Sequence, residues 1–286
     1  MQVLSEADGR FFADNGYVIV HDAVPPENLT SAIEAIWTFL EMDPHDPATW
    51  YRSPERANGM AELNKAGMVE MYHHPAMWAN RQHPRVYGAF ADLLGTEALW
   101  VSIDRVNMNP PARPDWNFQG FIHWDIDTAI QPLPFELQGF LSLADTAADQ
   151  GGFQCVPGFV KAFPEWVKTQ PADRNTWRPD LTGLEVRSIA TRAGDLLIWH
   201  SGLPHGTARN MSATPRLAQY ISMFPARPDD EALRQERILS WRERLPRTGR
   251  PFPGDPREWE RRHGTTADLT DLGRRLLGLD QWPSPA

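Results

Sequence analysis

The sequence predicts a mainly β domain with helical additions, and three observations lead there. Apolar runs of strand length recur at residues 17–20, 99–108, 135–144, 195–200 and 216–224, with Gly, Pro, Asp or Asn close to their ends. Segments with helical spacing lie mostly ahead of and behind these runs. The chain also carries 26 prolines and 12 tryptophans, which imply many loops and an aromatic-lined interior.

Taken in order, residues 5–15 read as a helix. Ser5 can cap it, Asp8 sits at the capping-box position and Gly16 stops it. Residues 17–20 read as a buried strand. Pro25-Pro26 opens a helix with Leu29, Ile33, Ile36, Trp37 and Leu40 at helical spacing. Residues 43–58, rich in Pro, Asp and Arg, read as a long loop. In residues 68–75, adjacent His73 and His74 point apart on a strand or a helix, so packing or hydrogen bonding is expected of them, not shared ligation. Tyr72 in the same stretch is a candidate substrate contact. Residues 84–94 form a helix with Val86, Phe90, Leu93 and Leu94 inward, ended by Gly95. Residues 99–108 are expected as one core strand, with Leu99, Val101, Ile103, Arg105 and Asn107 on one face.

A proline-rich loop at 110–117 brings Trp116 and Phe118 beside a cavity mouth. The run 135–144 is a central strand carrying Gln138, and 145–152 a turn. A short helix follows at 161–168, then a polar, irregular segment at 171–182 suited to a lid. Strands are expected at 185–189 and 195–200. On the strand 216–224, Arg216, Ala218, Tyr220 and Ser222 share one face, and Leu217, Gln219, Ile221 and Met223 the other. Beyond residue 225 two charge-dense helices, 229–244 and 256–279, flank a linker at 249–254. They pack on the same domain or serve a contact between copies of the chain; the sequence leaves both open. The division is thus 1–225 for the β domain and 226–286 for a helical extension.

Composition narrows the function. The 286 residues are 41% hydrophobic and 23% charged, an ordinary globular balance. A net charge of −9 advertises no basic face for nucleic acid. A lone cysteine, Cys155, forms no intrachain disulfide. No apolar run approaches membrane-spanning length, and no signal pattern opens the chain, so a cytoplasmic location without membrane association is expected.

The chemistry concentrates at Ile122-His123-Trp124-Asp125 and at Leu203-Pro204-His205-Gly206-Thr207. On a strand, His123 and Asp125 project together and Trp124 projects opposite. A second histidine from another strand completes a 2-His-1-carboxylate site, which leaves open positions on Fe(II). An anionic co-substrate held there needs a fixed cation, and Arg216 is suited because a guanidinium pairs bidentately with a carboxylate.

The order His-X-Asp, remote His, then Arg on an apolar strand resembles the phytanoyl-CoA dioxygenase family of Fe(II)/2-oxoglutarate-dependent oxygenases. The context agrees: residues 193–200 (Ala-Gly-Asp-Leu-Leu-Ile-Trp-His), His205-Gly206-Thr207-Ala208-Arg209-Asn210, Pro215-Arg216, the turn Gly151-Gly152 leading to Pro157-Gly158, and the opening at Phe11-Phe12. The resemblance spans about residues 5–225. It implies a double-stranded β-helix (jelly-roll, cupin-like) core. It implies Fe(II) on His123, Asp125 and His205, with His200 as a packing neighbour. It also implies 2-oxoglutarate on Arg216 supported by Thr207, with Gln138, Asn107 and Arg105 as further candidates. Tyr72, Trp116, Phe118 and Trp124 are set down as substrate contacts. The activity implied is hydroxylation of a small organic molecule, converting 2-oxoglutarate and O2 to succinate and CO2. An intact Asp125 argues against halogenation, for which related enzymes carry a small residue there. The chain departs from the family where Phe159-Val160 replaces the usual Ser-His after Pro-Gly, so no substrate is carried over. A cupin-like metal protein that is non-catalytic or independent of 2-oxoglutarate remains the alternative.

Overall fold

The structure, a computed structural model, describes residues 3–51, 60–116, 118–248 and 252–283. Its strands are β1 (Tyr17–Val20), β2 (Met68–Val69), β3 (Leu99–Val101), β4 (Val106–Asn109), β5 (Leu137–Ser142), β6 (Phe153–Cys155), β7 (Arg187–Ser188), β8 (Leu196–His200), β9 (His205–Thr207), β10 (Arg216–Tyr220) and β11 (Met223–Pro225). Its helices are α1 (Glu6–Asn15), α2 (Pro26–Leu40), α3 (Ala61–Ala66), α4 (Pro75–Arg81), α5 (Pro84–Leu94), α6 (Phe159–Trp166), α7 (Glu231–Glu243), α8 (Trp259–His263) and α9 (Asp271–Leu277). Among the described residues no helix is long and apolar enough to cross a membrane.

The strands make three antiparallel sheets. The largest runs β1-β8-β5-β10-β4-β2, a second pairs β11 with β3, and a third runs β7-β6-β9. Alternation along the large sheet gives it two faces. Val18, Leu141, Ile198, Leu217 and Val106 join a cluster with α2, α4 and α5. Phe140, Leu197, Trp199 and Ala218 face the opposite way and pack with Phe153 and Cys155 of the small sheet. Helices therefore cover one side of the large sheet, and the small sheet covers the other.

Local signals explain the ends of several elements. Ser5 and Asp8 form the reciprocal capping box of α1, and Gly16 ends it at φ 80°. Pro26 opens α2, whose Leu29, Ile36, Trp37 and Leu40 are buried. Gly95 ends α5 in the left-handed conformation.

Four expectations are corrected. Residues 216–224 are not one strand: β10 and β11 lie in different sheets. Residues 99–108 are not one strand: β3 and β4 lie in different sheets, with a break at 102–105. There the buried Arg81 guanidinium takes the Asp104 carbonyl at 2.5 Å, and Ser102 N–H donates to the Ser222 carbonyl at 2.8 Å. The second long helix is two short ones: Gly264 leaves α8 in extended conformation, and α9 starts afresh on a Thr270 cap. The helix expected at 161–168 begins earlier, at Phe159, and passes into a tighter turn at Val167–Thr169. Part of the 43–58 loop and part of the 249–254 linker fall outside the described residues.

The C-terminal elements are bonded to the sheets. Arg237 of α7, itself buried, donates to the carbonyls of Val101, Leu276 and Leu277. Trp282 donates to Leu99 O, and the Glu260 carboxylate accepts the backbone N–H groups of Tyr72 and His73.

Candidate metal centre

His205 sits on β9, and its backbone exchanges hydrogen bonds with His123 in an isolated antiparallel bridge, at 2.9 and 3.1 Å. Gly206 must be glycine here, because a Cβ would fall 1.8 Å from the Phe121 carbonyl oxygen. His123 and Asp125 are thus not on a regular strand; one bridge and a bend at Asp125 turn both inward. Ligand atoms of His123, Asp125 and His205 all lie within 4.8 Å of one another. His123 Nε2 is 3.2 Å from Asp125 Oδ1, and His205 Nε2 is 3.4 Å from Asp125 Oδ2.

Neighbouring groups set their chemistry. His205 Nδ1–H donates to the Leu203 carbonyl at 2.8 Å, which leaves Nε2 as the lone-pair nitrogen. Gln138 Nε2 donates to Asp125 Oδ2 at 2.7 Å. Burial opposes ionisation of Asp125, but when the facing His123 and His205 rings are protonated their hydrogen bonds and charge outweigh it and hold the carboxyl far below its usual range. Two imidazole nitrogens and one carboxylate, converging with no fourth protein ligand among the described residues, suit Fe(II) or a similar divalent ion.

These groups open on a cavity of about 550 Å³, which Arg216, Thr207, Gln138, Arg105 and Phe118 also line. Arg216 is 1% exposed. Its Nη1 donates to Asn107 Oδ1 at 2.9 Å, its Nε has no partner among the described residues, and its guanidinium lies 4.8 Å from the Phe140 ring centroid. A buried cation without a carboxylate partner is a costly group, and it faces the cavity where an anion could answer it.

Other expected residues lie elsewhere. Asn107 is buried behind Arg216 and does not line the cavity. Trp124 was set down as a substrate contact, but it is buried among Phe159, Phe163 and Trp166 and donates to the Gly202 carbonyl. Tyr72 lies outside the cavity with its hydroxyl on the buried Glu70, and Trp116 packs on Tyr51 away from the lining. His200 points to the other side of the sheet, accepts Gly202 N–H and packs on Phe135. His73 is buried between Trp78 and Ser240, and His74 caps α4. The irregular 171–182 segment is tied to the metal-site loop: Trp124 N–H donates to Trp177 O, and Arg174 donates to Thr128.

Sequence reasoning missed Glu62, Asp104, Phe121 and Phe252, which also line the cavity. Phe121 carried a readable signal, standing two residues before His123. Glu62 and Phe252 carried none, since only the tertiary fold brings α3 and the C-terminal segment to this wall.

The comparisons agree with this picture. A Dictyostelium discoideum protein bearing the phytanoyl-CoA dioxygenase name is 23% identical over 260 residues, covering 76% of this chain and 74% of that protein. Ava biosynthesis cluster protein O of Aspergillus versicolor is 26% identical over 264 residues, covering 84% of each. Among solved structures, the epimerase SnoN, crystallised with Fe3+, alpha ketoglutarate and nogalamycin RO, has a similar fold. Its TM-score is 0.53 at 16% identity, covering 77% of this chain and 83% of that one. Residues 12–218 match the sequence profile of the phytanoyl-CoA dioxygenase family, and to that family the chain belongs.

Proposed function

We propose that this chain is an Fe(II)- and 2-oxoglutarate-dependent dioxygenase, built on a double-stranded β-helix, that hydroxylates an unactivated C–H bond of a small organic molecule. The observation that carries the reading is the buried Arg216, without a carboxylate partner among the described residues, opening on the same cavity as the His123–Asp125–His205 cluster. A metal protein indifferent to 2-oxoglutarate has no use for that cation.

His123, Asp125 and His205 would hold the iron, which with 2-oxoglutarate and O2 supplies the oxidising power for C–H hydroxylation and releases succinate and CO2. Gln138 orients the Asp125 carboxylate, and the Leu203 carbonyl selects the His205 tautomer. Arg216, aimed by Asn107, offers a preorganised cation to the distal carboxylate of 2-oxoglutarate, and Thr207 offers a hydroxyl on the same cavity wall. Phe140, Phe153 and Trp199 form an apolar wall that excludes water around the centre. Asp125 supplies the third protein ligand, which favours hydroxylation over halide transfer.

The test is direct. Protein purified without oxygen is mixed with Fe(II) and 2-oxoglutarate, and the visible charge-transfer band is sought. Oxygen is then admitted and succinate measured. A band that is lost in Arg216→Ala, with succinate formed by the native chain, supports the reading. Folded, iron-loaded protein giving neither band nor succinate refutes it.

A further inference from the structure

If 2-oxoglutarate takes the Arg216 end of the cavity, the molecule to be oxidised must occupy the remainder. We propose that this outer part selects a compact aromatic or apolar molecule bearing a cationic nitrogen, and that Glu62 and Asp104 are its specificity-determining residues. The proposal rests on the oxygenase reading for the position of the co-substrate.

Charge is the first argument. Glu62 of α3 and Asp104 of the 102–105 break both line the cavity, and both are partly exposed to it. Among the described residues the Glu62 carboxylate has no hydrogen bond or ion pair. Asp104 Oδ1 accepts its neighbour's Arg105 N–H at 2.7 Å. Two described cations lie beside these acids: Arg105, whose Nη1 is 3.1 Å from the buried Glu70 carboxylate and whose Nε is 3.4 Å from Asp104, and the buried Arg81, whose Nη2 donates to the Asp104 carbonyl at 2.5 Å. Both guanidinium groups are engaged on the Glu70–Asp104 side, so among the described residues Glu62 is the acid of this wall that no cation answers, and the outer cavity offers its carboxylate to a ligand.

The walls supply the second argument. Met68, Phe118, Phe121 and Phe252 surround the acids with apolar and aromatic surface. Such a surface favours a flat or apolar body, and aromatic faces add attraction for a cation. The unpartnered, buried Arg216 Nε on the same cavity marks the space as built to receive ligands. The same charges disfavour an acyl-CoA, whose phosphates would meet like charge at the entrance. This separates the chain from the substrate in its family's name.

Calorimetry on the full chain loaded anaerobically with Fe(II) and 2-oxoglutarate tests the proposal, with tryptamine and indole-3-propanoate as probes of near-equal size and opposite charge. The amine is expected to bind at least about tenfold tighter than the acid. In Glu62→Gln with Asp104→Asn the preference is expected to shrink to about twofold, and each single variant is expected to lose part of it. The singles keep the test usable should the double variant fail to fold, and thermal melting reports folding. Equal or tighter binding of the acid overturns the proposal, as does an amine that fails to bind at about 1 mM or a preference kept intact in the variants. Titration with 2-oxoglutarate alone reads the underlying assignment separately: its failure to bind, beside an intact amine preference, refutes the oxygenase reading and not the charge selection.

Discussion

Asn107→Leu separates a cation that is aimed from one that is merely present. Asn107 Oδ1 accepts Arg216 Nη1–H at 2.9 Å, and the two side chains are 0% and 1% exposed. The rings of Phe140 and Tyr220, at 4.8 and 5.8 Å, hold the guanidinium from the side but do not orient its fork. A hydrogen bond to a charged group contributes about 1.5–3 kcal/mol. Asn107 Nδ2 also donates to the Ala66 carbonyl at 3.0 Å, so the variant should lose about 2–4 kcal/mol of stability in all. Should about half of the Arg216 contribution be expressed in co-substrate binding, about 1.1 kcal/mol, the KM for 2-oxoglutarate rises about sixfold. Turnover at saturating 2-oxoglutarate falls less, because the cation remains. Succinate formation against 2-oxoglutarate concentration gives the KM, and urea unfolding gives the stability. A folded variant with a KM within about twofold of native would refute the aiming role.

Four further outcomes are expected. Gln138→Leu removes the 2.7 Å hydrogen bond to Asp125 and should weaken iron binding about 10- to 100-fold, read by competition with a chelator; unchanged affinity would exclude Gln138 from the centre. Asp125→Ala should abolish hydroxylation, checked by succinate release and product formation. Thr207→Val should raise the KM for 2-oxoglutarate by about 1 kcal/mol, several-fold, without unfolding the chain. The last concerns acid. Burial pushes the His200 pKa down from 6.5 to about 4, so as pH falls through that window the unfolded chain binds a proton that the folded chain refuses. Stability is then present above pH 6.5 and lost on acidification, at about 1.4 kcal/mol per pH unit, and His200→Gln should flatten urea-derived stability between those limits by that slope. His73, buried and depressed to about 3, contributes in the same direction and remains in the variant.

Much of this was legible in the chain. The spacing of His123 and Asp125 and the remote Gly-Thr context of His205 single out three residues whose ligand atoms lie within 4.8 Å. Period-two alternation correctly assigns the faces of β10, because that strand is buried on both sides and its register is enforced by packing. Alternation fails at 99–108 for an identifiable reason. Backbone groups at the 102–105 break are satisfied by Arg81 and by Ser222, partners distant in sequence, so no local pattern marks the break. Trp124 shows the complementary limit. Expected as a substrate contact although alternation turns it away from His123 and Asp125, its side chain anchors the other side of the ligand segment through Gly202 and α6. Asp104 was hidden because a chain read as one continuous strand turns it away from Arg105's side, and Glu62 because only the tertiary fold brings α3 to this wall.

The mutual backbone bridge between His123 and His205 has a consequence for how the protein meets its metal. Two candidate ligands from distant parts of the chain are clamped together by main-chain hydrogen bonds that need no ion. In small zinc domains, by contrast, folding waits for the metal. Here chelation should strip the centre while leaving the fold standing, and the emptied protein should recharge without refolding. On the oxygenase reading, the working fraction of such a protein would follow iron supply and not the fate of the polypeptide.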